Sequence, residues 1–156
     1  MITITCSKEL AQTKIADFVK NIPETLYRGL GSLAAQDYQK QGQLLPYDGN
    51  LAVGKGVCFS SRLEEALGYS KGTLIITTRE KLDPQKQAVD TRLANHDIPA
   101  RNRLEQKKIS FSGYDLWEEI QKEDTILANK PEQSDYIFVK RTAVTQQEII
   151  AEVLII

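Results

Sequence analysis

The sequence predicts an α+β fold built from two packed sheets. Three observations carry this expectation. Strand-like segments follow one another along the chain, while the helical patterns group early; residues 72–78 (GTLIITT) are continuously apolar at their centre; and residues 149–156 (IIAEVLII) are too apolar to form an exposed edge. The chain has 156 residues, 41% hydrophobic and 26% charged, which is enough for one buried core. No internal repeat or low-complexity stretch divides it, so residues 1–156 are expected to form a single domain.

Residues 2–6 alternate and are rich in β-branched side chains, which predicts a strand. Ser7 is expected to cap a helix through about Asn21, with Ala11, Ile15, Phe18, Val19 and Ile22 at helical spacing and Pro23 ending it. Residues 25–30 (TLYRGL) read as a second strand. Arg28 stands out there, because a charge inside a short apolar strand calls for a partner. Gly31 and Ser32 open a short helix from Leu33 to about Gln41, and residues 42–53 form a polar loop of the kind that often covers a ligand.

Residues 54–69 (GKGVCFSSRLEEALGY) form the unit around which the rest is organised. Gly54 and Gly56 allow positive φ and a close approach to the backbone, a setting suited to a phosphorylated ligand. Val57-Cys58-Phe59 reads as a buried strand. Ser61 and Glu64 have the spacing of a capping box, which predicts a helix from Arg62 with Leu63, Ala66 and Leu67 facing inward and Tyr69 closing it. After GTLIITT, Asp83-Pro84 turns the chain away. Arg101, Arg103, Lys107 and Lys108 make a basic run that reads as a solvated face, and Leu116, Trp117 and Ile120 behind Ser112 and Asp115 suggest a short amphipathic helix. Residues 136–141 (YIFVKR) predict a strand, residues 145–148 a turn and residues 149–156 a terminal strand that must be central or well covered.

The stretch GKGVCFSSRLEEALGY resembles the donor-loop strand and following helix of the ADP-ribosyltransferase superfamily, whose polymerase-like branch carries Gly-x-Gly-x-Tyr-Phe and, further on, Ala and Tyr. LYRGL is similar to that superfamily's first motif, an aromatic residue followed by Arg or His and then Gly. Asp135 in EQSDYIFV resembles the third, an acid before Tyr-Ile/Leu-Val at the start of a strand. The three occur in the family's order and span most of the chain. Cys58 stands where the polymerase-like branch has Tyr, and Ser60 and Ser61 beside a leading Arg lean toward the toxin branch. The acid is Asp where Glu is usual, and Gln133 two residues before it resembles a Gln-x-Glu acceptor loop.

The resemblance implies an ADP-ribosyltransferase-like fold of two packed, mostly antiparallel sheets with flanking helices. It also implies a mono-ADP-ribosyltransferase, acting as a toxin or effector on a protein acceptor, with NAD as substrate and no metal. Arg28, Ser60 and Asp135 are then the catalytic candidates. Arg28, Gly29, Gly56, Ser60 and Tyr69 would hold NAD, with Tyr69 stacked on the nicotinamide, and Gln133 would face the acceptor. Loss of nicotinamide builds oxocarbenium character on the ribose, which a carboxylate such as Asp135 can stabilise. An NAD glycohydrolase on the same site and a non-catalytic binding module of the same fold stay open beside this reading.

A formal net charge of −1 provides no field to hold a polyanion, so nucleic acid is disfavoured and small molecules or proteins are the expected partners of a monomer. Cys6 and Cys58, the two cysteines, form no metal-ligand spacing with the single His96, and are expected to be free, buried thiols in a reducing compartment. No apolar run approaches the ~18 residues of a membrane span, and residues 1–10 lack a signal-peptide pattern. A cytoplasmic protein is expected, or one delivered into a target cell by another route.

Overall fold

The computed structural model describes residues 1–46, 57–82, 89–90, 125–129, 135–139 and 143–156, and describes 89–90, 125–129 and 135–138 by their backbone. Gly54, Lys55 and Gly56, Asp83-Pro84, His96, the basic run at 101–108, the helix expected around Trp117, and Gln133 lie outside the described residues.

The fold is α+β. Its elements in order are β1 (Ile2–Cys6), α1 (Ala11–Val19), β2 (Thr25–Leu30), α2 (Ser32–Gln41), β3 (Gln43–Leu44), β4 (Val57–Ser60), α3 (Leu63–Tyr69), β5 (Thr73–Thr78), α4 (Arg79–Leu82), β6 (Val89–Asp90), β7 (Thr125–Asn129), β8 (Asp135–Val139), β9 (Val144–Thr145), a 3₁₀ turn (Gln146–Glu148) and β10 (Ala151–Ile155). One mixed sheet runs in the order β1-β10-β5-β2-β4-β8-β7-β6, and β3 pairs with β9 in a small second sheet. The β1–β10 and β6–β7 pairings are parallel and the others antiparallel.

The two sheets are present but unequal: one long sheet with a narrow waist carries most of the strands, and the small β3–β9 sheet packs against it. β2 is paired along its whole length with β5 but joins β4 through Tyr27 and Ser60 alone. Side chains from both halves still enter a common core: Leu26, Leu30 and Ile75 on one side of the waist cluster with Val57, Phe59 and Val139 on the other. Tyr38 of α2 and the small sheet's Leu44 and Val144 complete this cluster. A second cluster on the opposite face joins Tyr27, Leu74, Ile76, Ala151 and Val153 to Ala11 and Ile15 of α1 and Ala66 of α3. Each fully buried Ile or Leu here contributes on the order of 2 kcal/mol of burial free energy.

Every residue of β5 is buried, as its unbroken apolar centre requires, because β10 and β2 flank it and both clusters cover its faces. Two of its buried threonines have hydroxyl partners: Thr77 Oγ1 donates to the Glu148 carbonyl and Thr78 Oγ1 accepts from the Lys81 amide at 3.1 Å. The apolar strand β10 lies between β1 and β5, so it is covered as expected, although it begins at Ala151.

Helix starts are where local pattern misleads. Ser7 does not cap α1; its carbonyl accepts from the Leu10 amide at 3.2 Å in a preceding turn, and the helix begins at Ala11. The Ser61–Glu64 capping box is not formed either. Ser60 Oγ accepts the Arg62 amide at 3.1 Å, Ser61 is exposed, and α3 starts at Leu63 from an extended Arg62. Ser60 reaches that amide because strand pairing to Tyr27 and Tyr136 holds it at the end of β4. A capping box does form at the 3₁₀ turn, where Glu148 Oε1 accepts from the Thr145 amide at 3.2 Å and from its hydroxyl at 3.3 Å.

Candidate functional site

Arg28 lies in the middle of β2 with its side chain half-buried on the face covered by α2. Register explains its partner. Continuing the Tyr27–Ser60 pairing would bring Gly29 opposite Cys58, but the strands have parted by then, and Arg28 Nη1 donates to the Cys58 carbonyl at 3.0 Å. The guanidinium thus spans the waist of the sheet and supplies a donor where backbone pairing stops.

Beside it opens a cavity of about 310 Å³ between β2, α2 and β3. Leu30, Leu33, Leu44 and Leu45 give it apolar walls, Arg28 and Asp37 its two charges, and Tyr38 a phenol. A cation and an anion across an apolar floor suit a ligand with an aromatic or sugar body and an anionic group.

Tyr38 and its neighbours escaped the sequence reading. Its ring is buried, its hydroxyl donates to Met1 Sδ at 3.3 Å, and burial, reinforced by the nearby Glu152 carboxylate, pushes the phenol above the ordinary tyrosine range. Glu152 in turn accepts from Thr3 Oγ1 at 3.0 Å. Direct pairing sets Arg28, Ile75, Glu152 and Thr3 in one cross-strand row, so Arg28 and Glu152 share a face on either side of Ile75. A signal was available: Glu152 is the one charge within IIAEVLII, and such a residue needs a polar neighbour. Because the folded phenol holds its proton to higher pH than the unfolded one, its contribution to stability is complete below the ordinary range. That contribution is lost as pH rises through the folded value. Denaturant midpoints measured from about pH 8 to about pH 11 are expected to fall more steeply for the parent than for Tyr38→Phe; equal slopes would remove Tyr38 as the cause.

Ser60 is buried and shares the face of its partner Tyr27, the one covered by α1 and α3, whereas Arg28 leaves from the other. Gly29 is enclosed from that same α1/α3 face: a Cβ there would stand 2.0 Å from the Ala66 carbonyl oxygen and 2.8 Å from the Ser70 nitrogen. Close packing of α3 on β2 therefore accounts for the glycine. Tyr69, at the last turn of α3, is 69% exposed, so its ring is accessible to a ligand. Cys6 is buried, but Cys58 is only half-buried, its Sγ 3.9 Å from the Phe59 carbonyl oxygen, so the expectation of two buried thiols holds for Cys6 alone. Neither cysteine forms a disulfide.

Strand pairing brings the three distant segments together. Tyr27 pairs with Ser60 and Ser60 with Tyr136, making one row across β2, β4 and β8, and Asp135 is the residue beside that row at the start of β8. No protein-family model, curated protein or solved structure matches this chain. Among the described residues, no group of three or more His, Cys, Asp or Glu side chains is arranged to hold a metal ion. No described helix is long and apolar enough to cross a membrane.

Proposed function

We propose that this chain is a mono-ADP-ribosyltransferase that uses NAD as donor and a protein side chain as acceptor. The observation that carries the reading is the row Tyr27–Ser60–Tyr136, which joins LYRGL, VCFSS and DYIFV on adjacent strands although they lie far apart in sequence. Residues that resemble a donor anchor, a strand serine and an acid thus lie on three adjacent strands, with Arg28 leaving the sheet on the α2 face and Ser60 on the face covered by α3, whose last turn carries the exposed Tyr69.

In the proposed reaction the bond between the ribose C1′ and the nicotinamide nitrogen breaks, and its electron pair leaves with nicotinamide. An acceptor nucleophile then bonds to C1′ and loses its proton. Arg28 provides fixed positive charge for the donor's phosphate or ribose oxygens, and Tyr69 a face on which nicotinamide stacks. Asp135 supplies the carboxylate that opposes charge developing on the ribose.

Incubation with NAD labelled in its adenylate half, with and without cell lysate, tests this. Label on a lysate protein supports transfer. Free ADP-ribose formed without lysate would assign the site to NAD hydrolysis, and neither product would leave a binding module of unknown ligand.

Arg28→Ala is expected to weaken NAD binding at least tenfold in calorimetry. It should also lower stability by about 1.5–3 kcal/mol, because a charged donor is withdrawn from the Cys58 carbonyl. Unchanged affinity in a folded variant would reduce Arg28 to a brace between strands.

A further inference from the structure

We infer that β1 is a self-pairing edge, and that two copies of this chain associate through it into one continuous sheet, against the monomer expected from the sequence. β1 ends the large sheet, with β10 on one side and, among the described residues, no strand on the other. Hydrogen-bond phase determines which backbone groups are left over. The Ile2 amide donates to the Ile150 carbonyl at 3.1 Å and the Cys6 carbonyl accepts from the Ile156 amide at 3.0 Å, so Ile2, Ile4 and Cys6 turn their backbone groups toward β10. By alternation, Thr3 and Thr5 turn theirs outward.

That phase is self-complementary. A two-fold axis through Ile4 sets Thr3 against Thr5 of the second copy and Thr5 against its Thr3. Both become hydrogen-bonded antiparallel pairs, with Ile4 facing Ile4 in the non-hydrogen-bonded position between them. ITITC carries no charge, so like charges do not oppose each other across the axis, and it lacks the lysine, proline or bulge that ordinarily blunts an exposed edge. The same arrangement sets Ile2, 53% exposed, opposite Cys6 of the second copy. At that end of the strand Leu10 and Ile156 are also exposed, at 51% and 84%. The exposed apolar side chains at the two ends of β1 would therefore cover one another across the axis. A five-residue strand makes a small interface, so association should depend on concentration.

Sedimentation velocity on the full chain over a range of concentrations is expected to show a monomer giving way to a species of twice the mass. Two variants address the edge without touching the core. Thr5→Pro removes an outward amide while leaving the β10 pairing, and Ile2→Lys sets a cation into the exposed apolar end; each is expected to abolish the dimer. Ile4→Cys tests the register, since residues facing each other at a non-hydrogen-bonded position have Cα atoms about 4.5 Å apart, within disulfide range. Mild oxidation should give a covalent dimer of Ile4→Cys but not of the parent. A parent that stays monomeric at every concentration, or a dimer that survives both edge variants, would overturn the proposal.

Discussion

Gly29→Ala is expected to destabilise the protein by about 3 kcal/mol or more, because among the described glycines this one has the least room for a methyl group. The added carbon would lie 2.0 Å from the Ala66 carbonyl oxygen, a distance no van der Waals contact tolerates. A flexible side chain could turn away, but the obstacle here is the backbone of α3. Ser70, whose nitrogen is 2.8 Å away, is held by its amide to the Ala66 and Leu67 carbonyls. β2 cannot retreat either, because it pairs along its whole length with β5, whose residues are all buried. The helix must therefore lift, exposing Ala66 and loosening Leu63 and Leu67. Urea unfolding followed by circular dichroism measures this directly. A midpoint equal to the parent's would mean that α3 does not sit on β2 as described. The companion variant Gly31→Ala, where a Cβ meets nothing within 4 Å, is expected to change stability little.

Asp135→Asn is expected to cut NAD turnover by roughly 10²-fold while leaving NAD affinity nearly intact. In the proposed transferase reaction Asp135 acts on the donor ribose. A carboxylate that acts only as positive charge appears on the ribose contributes to the transition state more than to the bound donor, and the amide keeps shape without charge. Binding by calorimetry and turnover by nicotinamide release should then come apart. Asp135→Glu separates two versions of the site: one shaped around the shorter acid is impaired by it, and one that accommodates glutamate is not. Parent-level turnover in a folded Asp135→Asn variant would remove Asp135, leaving Glu132 and Glu148 as acids to test. Glu148 already holds the Thr145 amide and hydroxyl, so its replacement should also loosen the turn before β10.

By itself the sequence determined the elements whose signal is local. Alternation marked β1, a short apolar segment marked β2, unbroken apolar runs marked β5 and β10 as interior strands, and helical spacing picked out Ala11 and Ile15 as the buried face of α1. These follow from the periods of the backbone, which each segment carries within itself. Only the tertiary structure decided the rest. Ser60 rather than Ser61 receives the amide at the start of α3, because pairing to β2 and β8 fixes where β4 ends. Gly29 is a glycine that lets α3 pack, Arg28 bridges strands that have parted, and Glu152 and Tyr38 meet from elements more than a hundred residues apart. The physical reason is register: period reveals which face a residue takes, while its neighbour across the sheet depends on which strand docks beside it, and that choice belongs to the whole core.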